Sequence, residues 1–391
     1  MGMIRAHQAV VATLGITALV RAQPGDRGGT ANSFDVRPGF KITLAADNIR
    51  GARFLEFDDA GTLYLSIPTS GTILSLKDAN ADGVYQPEER QDFVTGYESV
   101  HGLCWQDGWL WFAQTGAIHR ARDTNADGKA DETETIIPQG RLPSGGGHWW
   151  RSLLVTDAFI YTSIGDSGNI TDERNSERQK IFRFRKDGSA KVEFASGIRN
   201  TEKLRLRPGT NEVWGVDHGS DWFGREYGEG RRGQPITDRN PPDEFNLYLE
   251  GHFYGHPFIT GNRVPRLEFR GKEDLVGLAE QTTPPEWLFG AHWAANGWTF
   301  VTTDAVGASG DAFVATHGSW NSSVRVGYSV ERVLFDPVTG KPFGMQRIVS
   351  CLPPGGGRPL ARPVDCAEAP DGTVLFSCDS TGRIYRISRA E

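Results

Sequence analysis

The sequence predicts an all-β fold, a six-bladed β-propeller, and three observations carry that expectation. A unit of three short apolar strands, separated by Asp-Gly or Gly-Thr turns, recurs six times along the 391 residues. Within each unit hydrophobicity alternates with a period of two. Glycine is abundant at 48 residues, and no long stretch shows the periodicity of an amphipathic helix. One such sheet cannot bury both its faces alone. Stacking copies around an axis does so and leaves only short edges.

Met3 to Ala22 carries Arg5, an apolar run (AVVATLGITALV) and then Val20-Arg21-Ala22 as a small-x-small cleavage site. Residues 1–22 therefore read as a secretory signal, 23–37 as a linker and 38–391 as the propeller. The first unit is Ala52 to Asp78, the second Gly102 to Asp123, and the third Arg151 to Gly188. The fourth runs from Lys203 to Gly251, the fifth from Gly297 to Asp336 and the sixth from Pro363 to Ser388. Fourth strands come from FKITLAA, QDFVTG, ETIIPQ, KVEFASG and QRIVSC, and the strand Phe40 to Ala45 is expected to close the ring beside the last unit.

Removing residues 1–22 takes away two arginines and leaves 40 basic against 49 acidic residues, a formal charge of −9. That balance disfavours nucleic acid or anionic lipid as a partner. No stretch beyond the signal is long and apolar enough to span a membrane. Cys104, Cys351, Cys366 and Cys378 form no CxxC or CxxCH motif, so neither a zinc ribbon nor an attached haem is indicated. In an exported chain four cysteines allow three disulfide pairings.

Two units share a further motif. Asp78, Asn80 and Asp82 before Gly83 recur as Asp123, Asn125 and Asp127 before Gly128, 45 residues later. Oxygen side chains at alternating positions before a glycine turn resemble the first half of a calcium loop, with Glu88 or Glu89, and Asp131 or Glu132, as closing carboxylates. The alternative is a turn that needs no ion.

Chemistry concentrates at one end of the units. In register, the loops there carry Arg53, His101, His148, Arg199, His218, His292, His317 and Arg362. Convergent imidazoles and guanidinium groups in an acidic protein point to an anionic ligand. His148 follows Gly145 to Gly147 and is the best candidate base, because a neutral imidazole takes a hydroxyl proton near neutral pH. Between Gly197 and Pro257, Arg199-Asn200 offers fixed donors to a carbonyl or carboxylate. Glycines beside Ser220 and Tyr254 let the backbone aim carbonyl oxygens at a cation. The alternative pairs Arg199 with Asp243 or Glu244 on a solvated loop. No G-x-S-x-G, P-loop or strand-to-helix G-x-G-x-x-G is present, which disfavours serine-hydrolase and nucleotide chemistry.

The ordered motifs LPSGGGHWWRSLLVTDAFIYTSIGDSGN, SGIRN, DHGS and PPDEFNLYLEGHFYGHP resemble the glucose/sorbosone dehydrogenase family. HGSWN (His317 to Asn321), Gly327-Tyr328 and ARPVDCAEAPDGTVLFSCDSTGRIYRI resemble its L-sorbosone dehydrogenase branch, and the resemblance spans roughly residues 38 to 388. It implies a soluble quinoprotein that uses pyrroloquinoline quinone (PQQ) and Ca2+ to oxidise the anomeric or aldehyde carbon of a small sugar or aldehyde. It also implies an external electron acceptor, a small redox protein or quinone, in the periplasm or outside the cell.

Position by position, the resemblance makes His148 the general base and puts Arg199 beside the quinone carbonyl, with Asn200 its neighbour on the cofactor. Gly219 and Ser220 are the backbone ligands of the cofactor-bound calcium; the glucose enzymes have proline at the second position. Glu244 and the backbone at Tyr254 match a second, structural calcium. Arg362 matches an arginine on a cofactor carboxylate, and Arg53 and His218 line the same end. The glucose enzymes place a lysine on the cofactor where this chain has HGSWN, so His317 or Arg325 is expected to stand in. The insert Trp222 to Arg239 has no counterpart and is expected as a rim or lid. Two other readings compete: a calcium-dependent propeller hydrolase of lactones or phosphoesters, and a non-catalytic propeller that binds carbohydrate or protein.

Overall fold

Six antiparallel sheets stand around one axis in the computed structural model, which describes residues 34–223, 235–307, 309–355 and 357–390. Blade 1 is Leu55–Phe57, Leu63–Ile67, Thr72–Leu76 and Arg90–Val94. Blade 2 is Leu103–Gln106, Trp109–Ala113, Ile118–Arg122 and Glu132–Ile137. Blade 3 is Leu154–Val155, Phe159–Ile164, Lys180–Arg185 and Val192–Ser196, with His252–Phe253 added in parallel at its edge. Blade 4 is Leu204–Leu206, Val213–Asp217, Pro242–Tyr248 and Trp287–Ala291. Blade 5 is Ala295–Phe300, Ala312–Thr316, Ser329–Phe335 and Pro342–Ser350. Blade 6 takes Pro363–Glu368, Val374–Cys378 and Arg383–Arg389 from the end of the chain and Phe40–Ala46 from its beginning. That pairing closes the ring as the sequence predicts.

Local chemistry sets the turns. Between the first two strands of blade 2, Asp107 and Gly108 have φ of 54° and 74°, the pair of positive angles a two-residue hairpin demands. In blade 1 the Asp58 carboxylate accepts the amides of Ala60 and Thr62 and closes its hairpin. The second strand of each blade departs from simple alternation. LYLSI, WLWFA, VWGVD, AFVAT and VLFSC are buried at every position, because neighbouring blades cover both faces there. The outer strand Glu132–Ile137, by contrast, is exposed over its first four residues.

The core lies between blades. Trp214, Phe245, Trp298, Phe300 and Phe335 of blades 4 and 5 interlock, with Trp214 and Phe335 edge to face at 5.3 Å. The axis is crossed by ion pairs instead. Blade 4 begins with Glu202, Lys203 and Arg205, which reach Arg53, Asp365 and Glu56 on blades 1 and 6 at 3.0, 2.6 and 2.5 Å.

Two expectations are revised. The four cysteines are free and buried, so no disulfide joins them; the Cys378 and Cys104 sulfurs accept the amides of Arg362 and Val155. Phe34 to Val36, at the end of the expected linker, belong to the fold: Phe34 packs on Tyr385, and Asp35–Val36 pair with Ser350 and Val349. The expected signal, residues 1–22, lies outside the described residues, as do 224–234 of the insert. Pro235–Arg239 of that insert forms a short helix whose Asp238 carboxylate accepts the amide of Ser323 at 2.8 Å, which ties it to the blade 5 loop. No described helix is long and apolar enough to cross a membrane.

Candidate active site

Because the strands of each blade alternate in direction, two sets of loops emerge on one face: those entering each innermost strand and those joining second to third strands. The entry loops of blades 1 to 6 carry Arg53, His101, His148, Arg199, His292 and Arg362, one from each blade. The second set adds Asp166, His218 to Asp221, His317 to Trp320, and Asp379. The ring of imidazoles and guanidinium groups is therefore assembled as its sequence spacing implies.

His148 is fixed by one bond. Its Nδ1 donates to the Asp166 carbonyl oxygen at 2.8 Å, so the neutral ring keeps its lone pair on Nε2. Burial, with Arg199 second, lowers its pKa to about 3. The Asp166 side chain is in turn locked by His256 Nε2 at 2.7 Å and by the amides of Gly168 and Thr171. Burial alone would raise that carboxyl; these hydrogen bonds outweigh it and hold it well below the usual range.

Arg199 pairs with neither Asp243 nor Glu244. Its Nε donates to the Asn169 carbonyl at 3.0 Å, and its Nη2 reaches Asn169 Oδ1 at 2.9 Å and Asp221 Oδ1 at 3.3 Å. Its amide and that of Asn200 both donate to Asp217. Asp243 is taken by the amides of Gly219 and Ala295. Asn200 Nδ2 donates to His218 Nδ1 at 3.0 Å, which puts that ring's N–H on Nε2, a buried atom with no partner among the described residues. His148, Arg199, His218, Gly219, Asp221 and Trp320 line one cavity of about 140 Å3.

Gly219 permits a close approach that no other residue could make, since a Cβ would lie 2.6 Å from the Pro242 carbonyl oxygen. Ser220 Oγ is engaged by Arg266 and Trp222. The carbonyl oxygens of Gly219 and Ser220 accept no hydrogen bond among the described residues. Beneath them, Asp217, Glu244 and Tyr254 border a cavity of about 20 Å3, room for a single ion or water. Burial, then Asp217, raises the Glu244 carboxyl to about 8.

On the other side of the axis Arg53 joins Glu202, Asp379 and His101. Arg362 Nη2 donates to His317 Nδ1 at 3.0 Å, and His317 Nε2 donates to Asp379 at 3.0 Å. His317 is thus a neutral bridge, its pKa lowered by burial, and no copy of a lysine's point charge. His292 lines the cavity of His148 and Arg199, with Nε2 on the Thr237 carbonyl. Arg325 lies further out, on the wall of a larger cavity, and donates to the Gly357 carbonyl.

The motif of Asp78, Asn80 and Asp82, and that of Asp123, Asn125 and Asp127, join third to fourth strands and so sit on the opposite face. Their oxygens accept amides of their own loops: Asp78 from Asp82 and Gly83, Asp123 from Ala126 and Gly128. No group of three or more His, Cys, Asp or Glu side chains among the described residues is arranged to hold a metal. Sequence reasoning missed the partners that orient the ring, namely Asp166, His256, Asn169, Asp221, Glu202 and Asp379. Asp166 and Asn169 carried a local signal, both lying in the GDSGN segment that precedes Gln179.

The TrAA12-like family model matches residues 34–259 and 272–390. A calcium structure of a Trichoderma reesei Carbohydrate-Active Enzymes Family AA12 protein superposes with a TM-score of 0.78 at 17% identity, covering 92% of this chain and 98% of that one. The holo form of the pyranose dehydrogenase PQQ domain from Coprinopsis cinerea gives 0.75 at 18% identity, covering 91% and 97%. The apo soluble aldose sugar dehydrogenase of Escherichia coli gives 0.63 at 17%, covering 90% and 100%. At these identities the likeness is one of fold. An uncharacterized protein of Borreliella burgdorferi is 28% identical over 196 residues, 49% of this chain and 48% of its own length. One of Synechocystis is 24% identical over 223 residues, 48% of this chain and 50% of its own length. The chain spans about half the length of these curated relatives.

Proposed function

The chain belongs to the TrAA12-like family, and on that premise we propose that it is a quinoprotein oxidoreductase that oxidises the anomeric or aldehyde carbon of a sugar. The observation that carries this reading is His148. It is a base anchored by Nδ1 on Asp166, with an unprotonated Nε2, beside a cavity shared with Arg199, His218 and Gly219. When bound with calcium, PQQ supplies the two-electron acceptor, and the ion makes that acceptor more electrophilic.

The donor set fits such a group. The unengaged carbonyls of Gly219 and Ser220 would hold its calcium, and Glu244 with the Tyr254 backbone a second, structural ion. The orphaned His218 Nε2–H, Asn200 and the clamped Arg199 would face its ring oxygens, and Arg362, Arg53 and His317 its carboxylate side. His148 takes the proton of the substrate hydroxyl as the carbon beneath it is oxidised. Arg199, held by Asn169 and Asp221, adds a fixed positive charge where negative charge grows.

A hydrolase built on an axial calcium draws less support, because Asp243, Glu202 and Asp379 are each already occupied by amides, arginine or histidine. The acceptor that reoxidises the protein would be a small redox protein or quinone outside the cytoplasm. Titration with PQQ and Ca2+, followed by dye-linked oxidation of an aldose panel, tests the reading. The absence of a quinone spectrum, together with no dye reduction with any sugar, would end it.

A further inference from the structure

A cavity of about 980 Å3 opens between the blade 5 loop at Ser319 to Tyr328 and the loop that enters blade 6. Three guanidinium groups line it, those of Arg325, Arg358 and Arg362, and no Asp or Glu does. Arg325 donates to the Gly357 carbonyl and Arg362 to neutral His317, while Arg358 is exposed to solvent. None of the three forms an ion pair among the described residues. Elsewhere in this chain of net charge −7, arginines are routinely matched with carboxylates, as at Arg120, Arg183 and Arg205. Arg362 is linked through His317 to Asp379, whereas Arg325 and Arg358 meet no carboxylate among the described residues, and their charges raise the local concentration of anions.

The cavity adjoins the one beside His148, with Ser319 and Trp320 in the lining of both. Its volume lies at the upper end of the roughly 300–1,000 Å3 range of small-molecule sites, so it admits more than one carboxylate-bearing group. Trp320, 61% exposed and edge to face with Trp222 at 5.7 Å, stands at the junction and offers an apolar face to a pyranose ring.

We propose that the substrate is an anionic sugar, a uronic acid or a short oligomer of one, whose carboxylate is held by Arg358 and Arg325 while its reducing end reaches His148. This rests on the oxidoreductase reading and moves Arg325 from the cofactor to the substrate. Trp320 would bridge the two ends by stacking. A charge-assisted, bidentate contact of this kind discriminates by about tenfold or more.

The full chain, free of quinone, is titrated calorimetrically with glucuronate, galacturonate and trigalacturonate, and with glucose and galactose. At least one acidic sugar is expected to bind about tenfold or more tighter than its neutral counterpart. That advantage should fall at least fivefold in Arg358→Gln and in Arg325→Gln, and shrink in 0.5 M salt, which screens exposed charges. The same ratio is then read as kcat/KM in the reconstituted protein, and quinone affinity is measured in each variant. Equal binding of acidic and neutral sugars overturns the proposal. So does a loss of quinone affinity in both variants with the sugar ratio unchanged, which would assign the cavity to the cofactor. Arginine-dependent uronate binding in a protein that binds quinone yet oxidises no sugar would sink the oxidoreductase reading and leave the anion site standing.

Discussion

His148 Nδ1 lies 2.8 Å from the carbonyl oxygen of Asp166, and that single contact decides which nitrogen of the proposed base can act. A carbonyl only accepts, so Nδ1 must carry the proton and Nε2 the lone pair. The Asp166 carboxylate acts at one remove, through His256 and the amides that hold its loop. Asp166→Asn should leave the fold intact, lower kcat by about tenfold and change KM little, since it loosens the base without removing it. His148→Ala should abolish turnover. Steady-state kinetics of the two variants separates the roles, and an Asp166→Asn protein with wild-type kcat would refute the positioning role.

Burial holds His148 and His101 at about 3 and His119 at about 4, all below the ordinary value near 6.5. Two consequences follow by linkage. Between these values and pH 6.5 the unfolded chain binds more protons than the folded one, so stability rises with pH across that window and is lost as pH falls below 6.5. Unfolding at pH 5 should take up close to three protons from these groups. In the free protein kcat/KM should also show no acid limb near pH 6.5 from the base. Calorimetry in buffers of different ionisation enthalpy measures the uptake; a profile of stability flat from pH 7 to 5 contradicts it.

Gly219 tests the expected calcium ligands. A methyl group there meets the Pro242 carbonyl oxygen at 2.6 Å and the Pro241 carbonyl oxygen at 2.8 Å, and backbone oxygens of a strand entry cannot swing aside. Gly219→Ala should therefore tilt the carbonyls of residues 219 and 220 and weaken calcium-dependent quinone binding by about tenfold or more. Ser220→Ala leaves the backbone free and should have a smaller effect on the same titration. Equal effects of the two substitutions would argue against backbone ligation.

The blade count, the closure by Phe40–Ala46 and the six entry loops were legible because each is a local pattern repeated at blade-sized spacing. What escaped was set by contacts between distant residues. Arg199 finds Asn169 and Asp221, 30 and 22 residues away, and neither Asp243 nor Glu244, a choice made by the folded loops and not by spacing. The fourth strand of blade 4, Trp287–Ala291, follows its third only after the segment 249–286, which hides the repeat. The Asp-x-Asn-x-Asp-Gly motifs are equally good at binding ions and at binding their own amides, and spacing alone does not choose. Disulfides were open from composition, yet all four thiols are free and buried, and those of Cys378 and Cys104 accept amides.

The axial ion pairs make the last prediction. Lys203 Nζ lies 2.6 Å from Asp365, with both groups almost wholly buried, and Asp365 also accepts the amides of Leu55 and Cys366. Two buried charges offset each other's desolvation, so removing one strands the other. Lys203→Met should cost about 3–5 kcal/mol in denaturant unfolding, because the Asp365 carboxylate then lacks its cation. Adding Asp365→Asn removes that stranded charge while the amide oxygen still accepts from Leu55. The double variant should then recover more than half of the loss. Because Trp298 Nε1 donates to the Lys203 carbonyl rather than to its side chain, the neighbouring aromatic cluster should be undisturbed in both proteins. Additive losses in the double-mutant cycle would mean that the pair contributes nothing as a pair, and that the axis is held by packing alone.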